Sequence, residues 1–277
     1  MNNKSGNMFD TFIMTGRTYP GGEFAESSSN KANYKDWNWY INQNFAFSGA
    51  LKQLNESAKS VNKKVNVYIS IPYPKRNSAI IQLNGKSVKN TTAEREKLVN
   101  WYINNIQAKW NTSKFTNITL KGYYWQNETV ISQQDEILVQ KVANTIHKQK
   151  KNFIYSPHSR STNFDRWNTY GFDGAYLQPN GFRLKYSDLQ TKTALHNAFL
   201  QAQINGSGIN IEIDSYSPHN MPQGLSKFEP YVEMAERYGL PGRSLIMYQE
   251  QEMVYRMATY QQDAFQQSYL LIKSIIK

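Results

Sequence analysis

The chain has 277 residues, of which 39% are hydrophobic and 19% charged, and it contains no cysteine. This composition excludes disulfides, thiolate metal sites and a cysteine nucleophile, and no apolar run is long enough to predict a membrane span. The formal net charge of +11 favours anionic partners. Because the basic residues are scattered and no nucleic-acid-binding motif accompanies them, we expect no nucleic acid partner.

Strand-like runs alternate with helix-length segments along the whole chain. The seven predicted strands are Phe9–Gly16, Val65–Ile71, Ile118–Trp125, Asn152–His158, Gly174–Asn180, Gly208–Asp214 and Arg243–Gln249. The principal predicted helices are Trp37–Val61, Thr91 to about Trp110, Ser132–Lys148, Tyr186–Ile204, Pro230–Gly239 and Thr259–Lys277.

This alternation predicts a mostly parallel sheet covered by helices, that is, an α/β protein. We expect a (β/α)8 TIM-type barrel over residues 1–277, as a single catalytic domain with one strand irregular or missing. A doubly wound open sheet is the alternative. It is disfavoured because no Gly-rich phosphate loop follows the first strand.

The carboxyl ends of the strands carry the chemistry in such a barrel. The residues predicted at these ends are Tyr73, Trp125, Glu128, His158, Gln178, Asn180, Glu212, Asp214 and Tyr248.

Two glutamates stand out within this group. In the run Gly208–Asp214 the isoleucines share one face, and Asn210, Glu212 and Asp214 share the other, since strand side chains alternate with a period of two. A half-exposed antiparallel strand gives the same pattern. In a parallel sheet, however, a polar inner face is costly unless it lines a site.

Glycoside hydrolysis needs two carboxyl groups, one to protonate the leaving oxygen and one to attack the sugar or activate water. Glu128 follows the third predicted strand and Glu212 lies in the sixth. This offset of three strands resembles large retaining-glycosidase superfamilies with this fold, in which an Asn precedes the acid/base. Asn127 precedes Glu128 here. The resemblance implies that Glu128 is the acid/base and Glu212 the nucleophile.

The remaining strand-end residues are predicted to bind the substrate. Tyr73, Trp125 and Tyr248 are expected to stack on sugar rings, because an apolar sugar face can lie on a π surface. The predicted polar contacts come from Asn127, His158, Gln178, Asn180 and Asp214. A mechanism with two carboxylates requires no cofactor and no metal, so we expect neither.

Nearly the whole chain resembles a bacterial family of unassigned function, and several motifs carry the resemblance. They are Phe9-Asp10-Thr11-Phe12 with Gly16, Asp36-Trp37-Asn38-Trp39-Tyr40, Ile71-Pro72-Tyr73-Pro74, Trp101-Tyr102-Ile103, Gly122-Tyr123-Tyr124-Trp125 before Glu128, Gly171-Phe172-Asp173 with Leu177-Gln178-Pro179-Asn180, and Ile211-Glu212-Ile213-Asp214.

The family is DUF4855, a domain-of-unknown-function family whose members look like glycosidase-type barrels acting on bacterial polysaccharide. The chain departs from the family pattern at Asn127 and Asn210, where an acidic residue is common. The segment Tyr155-Ser156-Pro157-His158 also differs from the aromatic form expected in the family.

Two alternatives stay open. His158, His219 and Asp214 suggest a metal-dependent polysaccharide deacetylase, although zinc sites usually contain a more closely spaced histidine pair. The other alternative is a barrel that binds glycan without cleaving it.

The sequence therefore predicts a retaining, endo-acting glycoside hydrolase that cleaves a bacterial exopolysaccharide or a cell-wall-associated glycan. A negatively charged glycan is one option for the substrate.

The first residues, Met1–Asn7, lack the apolar segment of a signal peptide. We expect an extracellular or cell-surface location, with the leader absent from this chain. The residues leave a cytoplasmic location open.

Overall fold

The computed structural model describes residues 8–24, 33–76, 78–183, 185–239 and 244–276. The chain forms two compact units. The first comprises Met1–Tyr155 and Arg166–Asp173, and the second comprises Ser156–Asp165 and Gly174–Lys277. No helix in the described ranges is both long and apolar enough to cross a membrane. The assignment of the whole chain to one catalytic domain stays a prediction.

The first unit alternates strands with helices. Its elements are β1 (Thr11–Met14), β2 (Thr18–Tyr19), β3 (Gly22–Glu23), α1 (Tyr34–Phe45), α2 (Ala50–Ser60), β4 (Val65–Ile71), β5 (Ile80–Ile81), β6 (Ser87–Val88), α3 (Thr92–Ser113), β7 (Ile118–Trp125), α4 (Gln133–Lys148) and β8 (Asn152–Tyr155). Strands β1, β4, β7 and β8 pair in that order and are all parallel. The pairs β2–β3 and β5–β6 are short antiparallel ribbons.

Pairing between β4 and β7 is interrupted once. The register shifts between Val67 and Tyr68, so that Tyr68 lies opposite Gly122. A Cβ atom at residue 122 would collide with the carbonyl oxygen of Asn152 on β8. Glycine therefore allows three neighbouring strands to approach closely at this irregularity.

The predicted helix starts at Thr91 and Ser132 are confirmed. The Thr91 hydroxyl accepts a hydrogen bond from the Glu94 N–H, and the Ser132 hydroxyl accepts one from the Asp135 N–H, both at 3.2 Å. These bonds satisfy N–H groups that the first turn of a helix leaves without a partner.

The single helix predicted over Trp37–Val61 is wrong, because α1 ends at Phe45 and α2 begins at Ala50. The intervening turn brings Gly49 so close to the end of α1 that a Cβ atom there would lie 2.8 Å from the carbonyl oxygen of Asn44. The helical pattern in the sequence does not reveal this close approach.

A buried ion pair joins α3 to α4 and fastens the segment that follows β4. Arg95 donates to the Asp135 carboxylate at 2.6 Å and to the Pro74 carbonyl at 2.7 Å. Arg95 and Asp135 are only 2% and 1% exposed. The Tyr73 hydroxyl also donates to Asp135. A charge pair this deep is tolerated because several hydrogen bonds replace the lost hydration.

The second unit continues the alternation. Its elements are β9 (Gly174–Leu177), α5 (Asp188–Asn205), β10 (Gly208–Ile213), α6 (Met221–Arg237), β11 (Ile246–Gln249), α7 (Met253–Thr259) and α8 (Asp263–Ile276). Strands β9, β10 and β11 pair in that order and are parallel. Helix α5 packs on β9 and β10, and α6 packs on α5 and α8.

The seven predicted strands correspond to β1, β4, β7, β8, β9, β10 and β11. The strands β8 and β9 end earlier than predicted, at Tyr155 and Leu177. Arg243, the predicted first residue of the last strand, lies outside the described residues, as does Lys277 at the predicted end of the last helix.

The expectation that Pro230 begins a helix is wrong. Helix α6 begins at Met221, with Pro222 in its first turn, and Pro230 lies inside it and is buried. An interior proline removes one helical hydrogen bond and usually ends a helix. Here the segment stays helical, with Phe228 and Tyr231 on either side of Pro230 fully buried in the core.

Candidate active site

Strand β10 presents one apolar and one polar face, as the sequence predicts. Ile209, Ile211 and Ile213 are at most 1% exposed, and α5 packs on this strand. Asn210 and Glu212 alternate with them, and Glu212 is half-buried. Asn210 and Glu212 thus alternate with the isoleucines as predicted, whereas Asp214 lies just beyond the end of the strand.

The turn after β9 holds the Glu212 carboxylate. The backbone N–H of Asn180 donates to Glu212 Oε2 at 2.8 Å. Asn180 adopts a left-handed conformation with φ of 58°, which asparagine tolerates better than most residues. Arg183 donates to the Asn180 side-chain oxygen at 2.7 Å and so supports this turn. One carboxylate oxygen of Glu212 is therefore fixed in position.

Asp214 follows Glu212 by two residues and is also half-buried. Burial raises its pKa, and the nearby charge of Glu250 raises it further, whereas Arg183 opposes the shift. Asp214 therefore keeps its proton to a higher pH than an exposed aspartate does. An acid and a fixed carboxylate two residues apart are the elements of acid–base chemistry.

Tyr248 lies beside this pair on the neighbouring strand. It is the register partner of Glu212 in the parallel pairing of β10 with β11, and its ring is half-buried. Residues opposite each other in a parallel pair point to the same face of a sheet. Its role as a sugar platform stays a prediction.

Gln178 and Asn210 both donate hydrogen bonds to Ser156. The Gln178 side chain donates to the Ser156 carbonyl at 2.7 Å, and the Asn210 side chain donates to the Ser156 hydroxyl at 3.0 Å. Gln178 and Asn210 are each 5% exposed. The Gln178 amide positions the Ser156 backbone, and a direct contact of Gln178 with substrate stays a prediction.

His158 is half-buried beyond the end of β8, where it forms a parallel bridge with Gln178. Its Nδ1 accepts a hydrogen bond from the Arg160 backbone N–H at 3.0 Å. Across the described residues, no three His, Asp or Glu side chains are arranged to hold a metal ion, and the grouping of His158, His219 and Asp214 is not formed.

The first unit contains the other predicted catalytic residue. Glu128 follows β7, and its side chain is exposed. Its backbone carbonyl accepts a hydrogen bond from the buried Tyr155 hydroxyl at 3.0 Å, which anchors the segment. Asn127 is 9% exposed, and its amide donates to the Thr129 carbonyl. Asn127 therefore shapes the turn that presents Glu128.

Tyr73 and Trp125 lie in the core of the first unit, which corrects their interpretation as sugar platforms. They are 2% and 0% exposed and pack edge to face, with ring centroids 6.2 Å apart. Trp125 also packs against Phe153. A ring whose faces are covered by protein cannot stack on a sugar.

The burial of Trp125 makes a prediction about stability. Trp125→Ala should lower the free energy of unfolding by about 3–5 kcal/mol, as other large core truncations do. Urea unfolding followed by circular dichroism measures the effect. Trp39→Ala, which truncates a half-buried tryptophan of α1, should cost clearly less. If the stability of the Trp125 variant were unchanged and its glycan binding lost, the core assignment would be refuted.

A polar cluster at the carboxyl ends of β1, β4 and β7 is absent from the sequence prediction. The Ser70 hydroxyl accepts from the Gly16 N–H, contacts the Tyr40 hydroxyl and donates to Gln126. The Gln126 amide donates to the Gly16 carbonyl. Burial raises the pKa of Tyr40 to about 12. The only sequence signal was the polar residue Ser70 within the apolar strand β4.

Comparison with known proteins assigns the family. The family model described as "Domain of unknown function (DUF4855)" matches residues 1–273. The chain belongs to the DUF4855 family. No curated protein matches the DUF4855 chain.

Solved structures establish the fold of the DUF4855 chain. A protein from Bacteroides thetaiotaomicron VPI-5482, assigned as an alpha-L-fucosidase, is 12% identical with a TM-score of 0.54, and the match covers 95% of this chain and 82% of that one. A GH5-4 broad specificity endoglucanase from Clostridium longisporum is 10% identical with a TM-score of 0.42, covering 88% and 86%. The second likeness is too low to carry an argument.

The predicted fold class is confirmed. The DUF4855 chain has the TIM-barrel type of fold found among glycoside hydrolases, and seven parallel strands lie in its described residues. A fold alone does not determine a reaction, so the function has to be argued from the side chains.

Proposed function

We propose that this chain is a retaining, endo-acting glycoside hydrolase that cleaves a bacterial exopolysaccharide or a cell-wall-associated glycan outside the cell. The observation that carries the proposal is the Glu212 carboxylate, half-buried on the polar face of β10 and oriented by the Asn180 N–H. The fold, which a protein assigned as a fucosidase shares, is consistent with this reaction class.

Glu212 is the proposed nucleophile. In the first step, one of its oxygens forms a bond to the anomeric carbon while the bond from that carbon to the glycosidic oxygen breaks. The departing oxygen takes a proton from a general acid. In the second step, water gives a proton to the same group and attacks the anomeric carbon, and Glu212 leaves. The Asn180 hydrogen bond keeps the carboxylate oriented during attack.

Glu128 is the proposed acid/base. The support is its position after Asn127 and the offset of three predicted strands before Glu212. Asp214 is the other candidate for this role, because its raised pKa favours the protonated form that a general acid requires. The two candidates make different kinetic predictions, which are treated in the Discussion.

The reaction class is tested with the purified protein and a panel of purified bacterial polysaccharides. We expect new reducing ends from at least one polysaccharide, together with an early fall in viscosity that marks internal cleavage. Pretreatment with EDTA should leave the rate unchanged. Release of acetate that depends on added zinc would instead identify a deacetylase, and binding without any product would identify a non-catalytic glycan-binding protein.

A further inference from the structure

The second unit contains an open cavity of about 520 Å³ beside α5. It is lined by the segment after β8, by the end of β9 and by the outer face of α5. We call it the α5 cavity, and its defining residues are Arg160, Leu177, Pro179, Asn180, Tyr186 and Asn197. Its volume is in the usual range for a small-ligand site.

A buried lysine contacts a lining residue of the α5 cavity. Lys227 of α6 is 1% exposed, and its ammonium group donates to the Tyr186 carbonyl at 2.7 Å. The Tyr186 hydroxyl in turn accepts from the Arg160 guanidinium at 3.4 Å. The Arg160 backbone is tied to His158 Nδ1. Lys227 therefore holds the Tyr186 backbone, and the Tyr186 hydroxyl positions the exposed Arg160 guanidinium.

The lining of the α5 cavity combines one charge with amides and an apolar strip. Among the lining residues that the structure describes, Arg160 alone carries a formal charge. Thr193, Asn197 and Gln201 recur every fourth residue along α5, so they share one helix face. Leu189, which is 76% exposed, and the half-buried Ala194 form the apolar strip.

This combination matches the chemistry of a uronic acid residue. A guanidinium binds a carboxylate through charge-assisted hydrogen bonds. Amide and hydroxyl side chains bind sugar hydroxyls, and an apolar strip accepts the C–H face of a pyranose ring. A phosphate group would also bind an arginine, but it would make no use of the polar face of α5 or of the apolar strip.

We propose that the α5 cavity binds a uronic acid residue of the glycan, with its carboxylate on Arg160. The proposal rests on the proposed glycan substrate and narrows that substrate to an acidic polysaccharide. Asn180 connects the two sites, because it lines the α5 cavity and its N–H holds Glu212. A glycan chain that occupies the cavity therefore lies next to the turn that orients the proposed nucleophile.

The proposal is tested by calorimetric binding at low ionic strength. The probes are trimers of galacturonate, glucuronate and mannuronate, each compared with the same trimer after methyl esterification of its carboxylates. We expect at least one acidic trimer to bind about tenfold or more tightly than its ester, the size expected for one charge-assisted hydrogen bond.

Three variants locate the binding. Arg160→Gln should weaken binding of the acidic trimer about tenfold and leave the ester unaffected. Ala194→Trp, on the half-buried lining residue of α5, should block both ligands by filling the cavity. Arg237→Gln, an exposed arginine of α6, removes the same charge elsewhere and should change nothing. Circular dichroism melts establish that each variant is folded.

The proposal is overturned if none of the three acidic trimers binds, if acid and ester bind equally, or if a folded Arg160→Gln or Ala194→Trp variant binds like the wild type. Binding needs no turnover, so these outcomes are independent of the reducing-end assay. If the protein binds the acidic trimer but releases no reducing ends, the proposed site in the α5 cavity is supported and the proposed hydrolase activity is refuted.

Discussion

Glu212→Gln should reduce turnover of any polysaccharide that the wild type cleaves by at least about 10³-fold, since a neutral amide cannot form the covalent intermediate. Glutamine has the same shape, and its side-chain oxygen can still accept the Asn180 N–H. The variant should therefore fold normally and bind substrate with little change. The measurement is the initial rate of reducing-end release at saturating substrate.

The matched control is Glu236→Gln, which makes the same chemical change at an exposed glutamate of α6. Its activity should equal that of the wild type. Azide gives an independent readout: with Glu212→Ala and an activated aryl glycoside, azide should enter the vacated space and yield a glycosyl azide of inverted configuration. Near wild-type turnover by Glu212→Gln would refute the assignment of the nucleophile.

Glu128→Gln should slow cleavage of the polysaccharide by about 10²–10⁴-fold, the usual contribution of a general acid. A nitrophenyl glycoside has a leaving group that needs no proton, so the burst of nitrophenolate should stay within about tenfold of the wild-type rate. The later hydrolysis of the glycosyl enzyme should be slow, because the same residue activates water in that step. Stopped-flow absorbance separates the two steps.

Asp214→Asn is the comparison that decides between the two candidate acids. If Glu128 is the acid, Asp214→Asn should slow cleavage of the polysaccharide and of the nitrophenyl glycoside to a similar degree, because it changes only the environment of Glu212. If Asp214 is the acid, the dependence on the leaving group should appear in Asp214→Asn and be absent in Glu128→Gln. The upper limb of the pH profile that Asp214 sets through its raised pKa would then disappear as well.

Local patterns in the sequence were sufficient for the seven strands of the sheet and for the alternation along β10. The sequence separated Asn210 and Glu212 from the isoleucines of β10, because the strand period is a property of the backbone. The starts of α3 and α4 were predictable from Thr91 and Ser132, since a cap is formed within four residues.

Contacts between residues far apart in the sequence were not predictable. The hydrogen bond from Asn180 to Glu212 spans 32 residues. The cluster of Ser70 with Tyr40 and Gln126 joins residues 30 and 56 positions apart. These partners are brought together only when the strands pair, and no local signal in either segment encodes the register of that pairing.

The burial of Trp125 shows the same division between sequence and tertiary structure. The sequence correctly placed it at the carboxyl end of β7, where a ring can point either to the polar face or to the helices. In the folded protein the Trp125 ring packs against Tyr73 and Phe153. Sequence determined which residues alternate along each strand, whereas tertiary packing decided which face each ring occupies, because covering a face requires elements that lie elsewhere in the chain.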